Sequence, residues 1–187
     1  MISIEIENAL EHLNKGNIIL YPTDTTFGLG CDATNSDAVK KIYQIKNRSD
    51  SKALIILVES ERRLQQLVKV PEVAWDLIEF SEKPITIIYD NPKNLPNELI
   101  ASDNTIAIRL TKDDFCKKLI SKLNAPLVST SANISGEVSP KTFSDISQKI
   151  KSQVDYIVPE CVTFIPKYEA STIIKLSSNG LVKIIRK

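Results

Sequence analysis

The sequence predicts an α/β fold in which helices pack on one mixed sheet. Short apolar runs rich in Ile, Leu and Val recur along the chain, and segments of helical periodicity are interleaved with them. Interleaving of this kind builds a sheet with helices packed on its faces. The last two apolar runs, "STIIKL" and "LVKIIR", flank Asn179-Gly180, a dipeptide suited to a tight hairpin, so the sheet must be mixed and not wholly parallel. At 187 residues the chain can bury one real core, and no polar Gly/Pro/Ser-rich stretch divides it into two. Residues 1–187 therefore read as one domain.

The elements follow in order. Residues 3–15 suggest a helix stopped by Gly16. "NIILYP" (17–22) reads as a buried strand and "TDTTFGLG" (23–30) as the loop after it. Asn35 or Ser36 can cap a helix running to about Lys46, with Ala38, Ile42 and Ile45 on one face. "ALIILV" (53–58) is a second buried strand. Ser60 can cap a short helix, and Pro71 suits the first turn of another that carries Trp75. "ITIIYD" (85–90) and "TIAIRL" (105–110) read as strands around a loop. Residues 112–124 are helical, with Phe115, Leu119, Ile120 and Leu123 as the apolar face. "PLVST" (126–130) is the next strand. Ser139 and Pro140 open a predicted helix that ends near Lys151, and "DYIV", "STIIKL" and "LVKIIR" complete the strands.

Composition removes several classes of function. Apolar residues make up 42% and charged residues 25%, as in ordinary globular chains. The formal net charge of +1 argues neither for nor against a nucleic-acid partner, because a basic patch can hide in a balanced total. Cys31, Cys116 and Cys161 are odd in number and far apart, which fits neither a zinc site nor a disulfide framework and suits a reduced cytoplasmic setting. His12 is the only histidine, which disfavours a histidine-centred triad or metal site. No run approaches the length of a membrane span, and no signal pattern follows Met1.

Three polar segments stand at the ends of apolar strands. In "YPTDTTFGLG" (21–30), Thr23, Asp24, Thr25 and Thr26 offer hydroxyls and a carboxylate, and Gly28 and Gly30 allow close approach to the backbone. The segment suits a ligand site or a hydrogen-bonded turn equally. In "IKNRSDSKA" (45–53), Lys46, Arg48 and Lys52 can bind an anion, or simply complement a helix C-terminus. "PLVSTSANISG" (126–136) offers short hydroxyl and amide side chains beyond a buried strand, either a cradle for phosphate or ribose or a plain turn. It matches neither the Walker pattern nor the dinucleotide glycine fingerprint. Together the three segments suggest the rim of one cleft, where α/β sheets commonly bind ligands.

"YPTDTTFGLG", "IKNRSDSK", "TIAIRLT", "PLVSTSANISG" and "STIIKL", in this order, resemble the YrdC/TsaC family over nearly the whole chain. The resemblance implies a twisted mixed sheet with a concave basic cleft. It also implies synthesis of threonylcarbamoyl-AMP from L-threonine, bicarbonate and ATP, with release of pyrophosphate, for adenosine 37 of tRNA. The family's Lys-x-Arg element falls on Lys46 and Arg48, and its Ser-x-Asn element on Ser131 and Asn133, the implied catalytic group. Arg48, Lys52, Thr105, Ser131, Ser139 and Arg186 are implied to approach the nucleotide; Thr25, Arg109, Ser129 and Ser171 are implied to approach threonine. Departures include Ser49 and Ala53 where relatives often have proline, Leu57 where longer members often have histidine, and Glu82-Lys83 where a glycine often precedes the proline.

This chemistry needs a carbamate, formed from the threonine amine and bicarbonate, to attack the α-phosphate of ATP. Both partners are anionic, so cations at 46, 48 and 52 would lower their repulsion, and catalysis would rest on positioning and electrostatics. Mg2+ bound to ATP is expected, without an assigned protein ligand; Asp24 reads as structural. tRNA and modification proteins of the TsaD/TsaB type are the expected partners, with no membrane. Three other readings stay open. An RNA-binding module is one, although aromatics at 6% form no stacking pattern. A YciO-like paralogue is another, against which the intact "SAN" at 131–133 argues. The third is the carbamoyl-transfer domain of hydrogenase maturation factors, usually part of a much longer chain.

Overall fold

In a computed structural model, residues 2–47, 54–177 and 181–187 are described. Arg48, Ser49, Lys52, Ala53 and the Asn179-Gly180 hairpin signal lie outside the described residues.

Helix α1 (Ile2–Asn14) buries Ile6, Ala9 and Leu13 on one stripe and ends at Gly16, whose φ of +73° suits a residue without a Cβ. His12 stacks on Tyr156 at 4.8 Å, a packing role. Strands β1 (Ile19–Pro22) and β2 (Phe27–Asp32) form an antiparallel hairpin. The loop expected over 23–30 is thus confined to the turn at 23–26. Phe27, Leu29 and Cys31 alternate into the core, while the intervening glycines hid the period-two pattern. Those glycines are there because the Tyr21 ring lies against them: a Cβ on Gly30 would stand 2.6 Å from Tyr21 Cε1.

Helix α2 (Ser36–Ile45) is capped by Asn35, whose side chain accepts from the Ala38 N–H. β3 (Ile55–Val58) follows, then α3 (Glu61–Leu67), capped by Ser60, and α4 (Glu72–Phe80), with Pro71 just before its first turn. β4 (Ile85–Asp90) and β5 (Thr105–Leu110) match the two predicted strands. α5 (Asp114–Leu123) is capped by Asp113, buries Cys116, Leu119, Ile120 and Leu123, and ends on Asn124 at φ 54°. β6 (Leu127–Ser131) leads into the polar segment.

The single helix expected from Ser139 to Lys151 does not form. A 3-10 turn (Phe143–Asp145) and the short α6 (Gln148–Lys151) stand in its place. The Asp145 carboxylate accepts from the Lys141 and Thr142 N–H groups, and the Ser147 hydroxyl accepts from the Ile150 N–H. Two starts compete within one short segment, and local side-chain bonds to the backbone favour two stubs over one helix. β7 (Tyr156–Ile157), β8 (Thr172–Leu176) and β9 (Val182–Arg186) complete the chain.

The described strands form one sheet in the order β7-β1-β2-β6-β3-β5-β4-β8-β9. It is mixed: β1/β7, β3/β5 and β4/β8 run parallel and the other neighbours antiparallel. β1, β2, β3 and β5 are the most deeply buried strands, and β6 passes from buried Leu127 and Val128 to half-buried residues at its polar end, which gives a rigid platform for the side chains they carry. No helix among the described residues is long and apolar enough to cross a membrane.

Candidate functional site

Residues directly opposed on paired strands share a face of the sheet. Ser129 opposes Gly30 and Ile55, Ile55 opposes Ala107, and Ala107 opposes Ile88. One pleat further, Leu57 opposes Arg109, and Thr86 opposes Ile173, which opposes Arg186. These rows floor a cleft of about 270 Å3, closed at its ends by the 23–26 turn, Ser139 and Ser171. Strands fix the floor, and the polar ends of those strands supply the rim.

Arg109 anchors one end. Only 6% exposed, it pairs with the Asp24 carboxylate and donates from Nη1 to Thr25 Oγ1 at 3.2 Å. Thr25 Oγ1 lies 3.0 Å from Thr23 Oγ1, and Thr23 donates to the Thr26 carbonyl at 2.8 Å. A nearly dry guanidinium needs such a counter-charge. Asp24 thus serves as a structural partner of Arg109, which lines the cleft.

At the other end, Arg186 Nε and Nη2 donate to the Ser171 carbonyl at 3.0 and 2.8 Å. The Ser171 hydroxyl meets Thr86 Oγ1 at 2.8 Å. A register shift between Ile173 and Ile174 leaves Ile185 unpaired, so that consecutive Ile185 and Arg186 both reach the cleft. Burial pushes the Arg186 pKa below its ordinary value, yet a guanidinium remains charged at neutral pH. Among the described lining residues, Arg109 and Arg186 carry charge, both positive.

Lys46 has a different place. It is 2% exposed, and its ammonium lies 2.5 Å from the Ser131 carbonyl, 2.8 Å from the Asn133 carbonyl and 3.4 Å from Asn133 Oδ1. Its own carbonyl accepts from the Ser135 N–H at 2.9 Å. Ser131 Oγ donates to Asn133 Oδ1 at 2.5 Å, and Asn133 Nδ2 donates to the Glu137 carbonyl at 2.6 Å. The 131–137 segment is therefore tied from beneath by a buried cation, which no plain surface turn requires.

Of the residues singled out in the sequence, Thr25, Arg109, Ser129, Ser131, Ser139, Ser171 and Arg186 line this one cleft. Thr105 stands one pleat beyond Ala107, with its hydroxyl on the Asp103 carboxylate at 2.7 Å. Lys46 and Asn133 brace the rim from below. Arg48 and Lys52 lie outside the described residues. Sequence reading missed the apolar floor of Ile55, Leu57, Ala107 and Ile173, and it missed Thr86. A lone threonine in the apolar run "ITIIYD" was the available signal for Thr86. The floor residues gave none, since apolar strand residues look alike whether they face a core or a cleft.

The arrangement suits a ligand with anionic groups at both ends and hydroxyl or amide contacts between them. Comparison with known proteins points the same way. The Sua5/YciO/YrdC family model, described as telomere recombination, matches residues 11–187. A threonylcarbamoyl-AMP synthase of Pseudoalteromonas translucida is 35% identical over 83% of this chain and 85% of the relative. A putative threonylcarbamoyl-AMP synthase of Methanocaldococcus jannaschii is 34% identical over 96% of this chain and 86% of its own. The crystal structure of P. abyssi Sua5 complexed with L-threonine superimposes with a TM-score of 0.79 at 29% identity, covering 91% of this chain. The present chain spans 50% of that Sua5 chain.

Proposed function

The chain belongs to the Sua5/YciO/YrdC family, and on that premise we propose that it is a threonylcarbamoyl-AMP synthase. It would join L-threonine, bicarbonate and ATP into threonylcarbamoyl-AMP and pyrophosphate. The observation that carries this reading is the cleft itself. Buried Arg109 and the more exposed Arg186 line it together with a wall of serine and threonine hydroxyls, in the fold of a Sua5 protein whose crystal structure holds L-threonine.

The proposed division of the cleft follows its chemistry. Arg109, backed by Asp24, takes the threonine carboxylate, with Thr25, Ser129 and Ser171 supplying hydroxyls around the amino acid. Ser131, Ser139 and Arg186 face the nucleotide, joined by Arg48 and Lys52 and, further along β5, by Thr105. The threonine amine forms a new N–C bond to the bicarbonate carbon, whose C–OH bond breaks as the hydroxyl leaves as water with a proton from the amine. The resulting carbamate oxygen then attacks the α-phosphate as the bond to pyrophosphate breaks. Both reactants of this second step are anions, so fixed cations and neutral donors in a partly dry cleft lower the barrier by positioning and electrostatics. Lys46 and Asn133 serve the reaction indirectly, Lys46 by holding the Ser131 carbonyl and Asn133 by accepting from the Ser131 hydroxyl.

Magnesium would enter on the ATP phosphates, where it neutralises charge on the leaving group. No cluster of three or more potential metal-ligating side chains occurs among the described residues, and Asp24 is engaged by Arg109. The donor set of the described residues therefore suits a substrate-borne ion better than a resident one. We further propose that the product passes to adenosine 37 of tRNA through partner proteins of the TsaD/TsaB type, in the cytoplasm, where the buried thiols Cys31, Cys116 and Cys161 stay reduced. Incubation with ATP, magnesium, threonine and isotope-labelled bicarbonate tests the reading. The label must appear in threonylcarbamoyl-AMP by mass spectrometry. A folded protein that incorporates none refutes it.

A further inference from the structure

Tyr21 presents an anomaly beside the cleft. Its side chain is fully buried, yet its hydroxyl has no hydrogen-bond partner among the described residues. A buried hydroxyl without a partner is costly, and a phenylalanine would fill the same space without that cost. Packing alone therefore does not account for the oxygen.

The ring is held in one place. It stacks on Phe115 with centroids 6.5 Å apart and lies against Gly28 and Gly30, where a Cβ would stand 3.0 Å and 2.6 Å from Tyr21 Cε1. That same point at Gly28 lies 3.0 Å from Tyr21 Cζ, the carbon that bears the hydroxyl, and 3.3 Å from Ser129 Oγ. The tyrosine edge and the serine hydroxyl thus flank one bare glycine. Ser129 opens on its other side to the cleft.

The groups around the phenol narrow its partner. Burial raises its pKa well above the ordinary value, Cys116 adds to this, and neighbouring Ser129 and Arg109 act in the opposite direction. The phenol therefore keeps its proton and can donate it. Arg109 has only donors and cannot accept. No hydrogen bond joins the phenol to the Asp113 carboxylate, which caps the helix through the Cys116 N–H, and a thiol is a weak acceptor. Ser129 Oγ remains as the acceptor on the cleft side. Ser129 is close enough to act on the phenol, although the two hydroxyls do not meet hydrogen-bond geometry, and a rotation of the Ser129 side chain would complete the bond.

We infer that Tyr21 is a positioning residue of the threonine subsite: its buried hydroxyl donates to Ser129 Oγ and turns the Ser129 proton toward the ligand carboxylate. The polarity of the chain is fixed, since a neutral phenol with no other acceptor donates to the serine, which then donates to the anion. Gly28 and Gly30 are required because any side chain there would displace the ring. This inference rests on the proposed assignment of the cleft to L-threonine.

Calorimetric titration of L-threonine into the wild-type protein, Tyr21→Phe, Ser129→Ala and the double variant tests it, with thermal unfolding of each. Tyr21→Phe should weaken threonine binding about five- to tenfold, the size of one neutral hydrogen bond. Its melting temperature should be equal or higher, because an unpartnered group has been removed. The double variant should bind no worse than Ser129→Ala alone. Unchanged affinity in Tyr21→Phe beside normal wild-type binding overturns the inference and leaves the proposed function standing. So do losses that multiply in the double variant, or a lowered melting temperature, which would show the hydroxyl bonded in the free protein. Wild-type protein that binds no threonine overturns both.

Discussion

Replacing Lys46 with methionine keeps most of the side-chain volume and removes three donors. In the native protein the ammonium serves the Ser131 and Asn133 carbonyls at 2.5 and 2.8 Å and approaches Asn133 Oδ1 at 3.4 Å, all within a residue 2% exposed. The variant leaves two carbonyls facing a thioether. Each buried acceptor so stranded costs about 1–3 kcal/mol, so Lys46→Met should lose about 2–5 kcal/mol, with partial recovery by water entering the site. In a domain of this size that corresponds to a fall in melting temperature of roughly 5–20 °C. Thermal unfolding followed by circular dichroism reads this directly. A lysine working only as a ligand for phosphate would show the reverse pattern, with normal stability and lost turnover. A Lys46→Met protein melting within about 2 °C of wild type would refute the bracing role drawn from its position.

Three further outcomes follow from the same geometry. Gly30→Ala should destabilise by about 1–3 kcal/mol in chemical denaturation, because its Cβ would meet Tyr21 Cε1 at 2.6 Å and the Val128 carbonyl at 3.1 Å; a neutral effect would mean that the ring moves freely. With the wild-type protein, valine should be rejected more strongly than serine in pyrophosphate release, since losing a hydrogen bond in a site lined by Thr25 and Ser171 costs more than an unfilled methyl pocket; equal use of valine and threonine would contradict the hydroxyl-lined site. The Asp103 carboxyl is held below its ordinary value of 3.8, first by its hydrogen bond from Lys175 and then by Thr105. Its contribution is therefore present above that value and is lost as pH falls through the depressed one, so the melting-temperature gap between wild type and Asp103→Asn should close on acidification below about pH 4; a gap that persists in acid would exclude this ion pair as its source.

The reach of the sequence differed from element to element for physical reasons. β4 and β5 were legible to the residue because "ITIIYD" and "TIAIRL" are continuous apolar runs bounded by turn formers. β2 was not, because Gly28 and Gly30 resemble loop residues until the Tyr21 ring packed against them is known. The 139–151 segment failed as one helix because two cap signals compete for a short stretch of backbone. Within the site, the small polar residues after β6 stood out because a strand running into the core needs none of them. The destination of Lys46 was hidden, since its acceptors lie 85 and 87 residues away. A basic residue at a helix end looks solvated until the loop that covers it is placed.

The proposed synthase activity requires one cleft to bind threonine and ATP and to couple them through bicarbonate. Its most direct test is pyrophosphate release by the purified wild-type protein in a complete mixture of ATP, magnesium, bicarbonate and L-threonine, beside mixtures each lacking one component. Release is expected only in the complete mixture, matched mole for mole by threonylcarbamoyl-AMP. Release that continues without threonine or without bicarbonate, or no release from folded protein in the complete mixture, would contradict it.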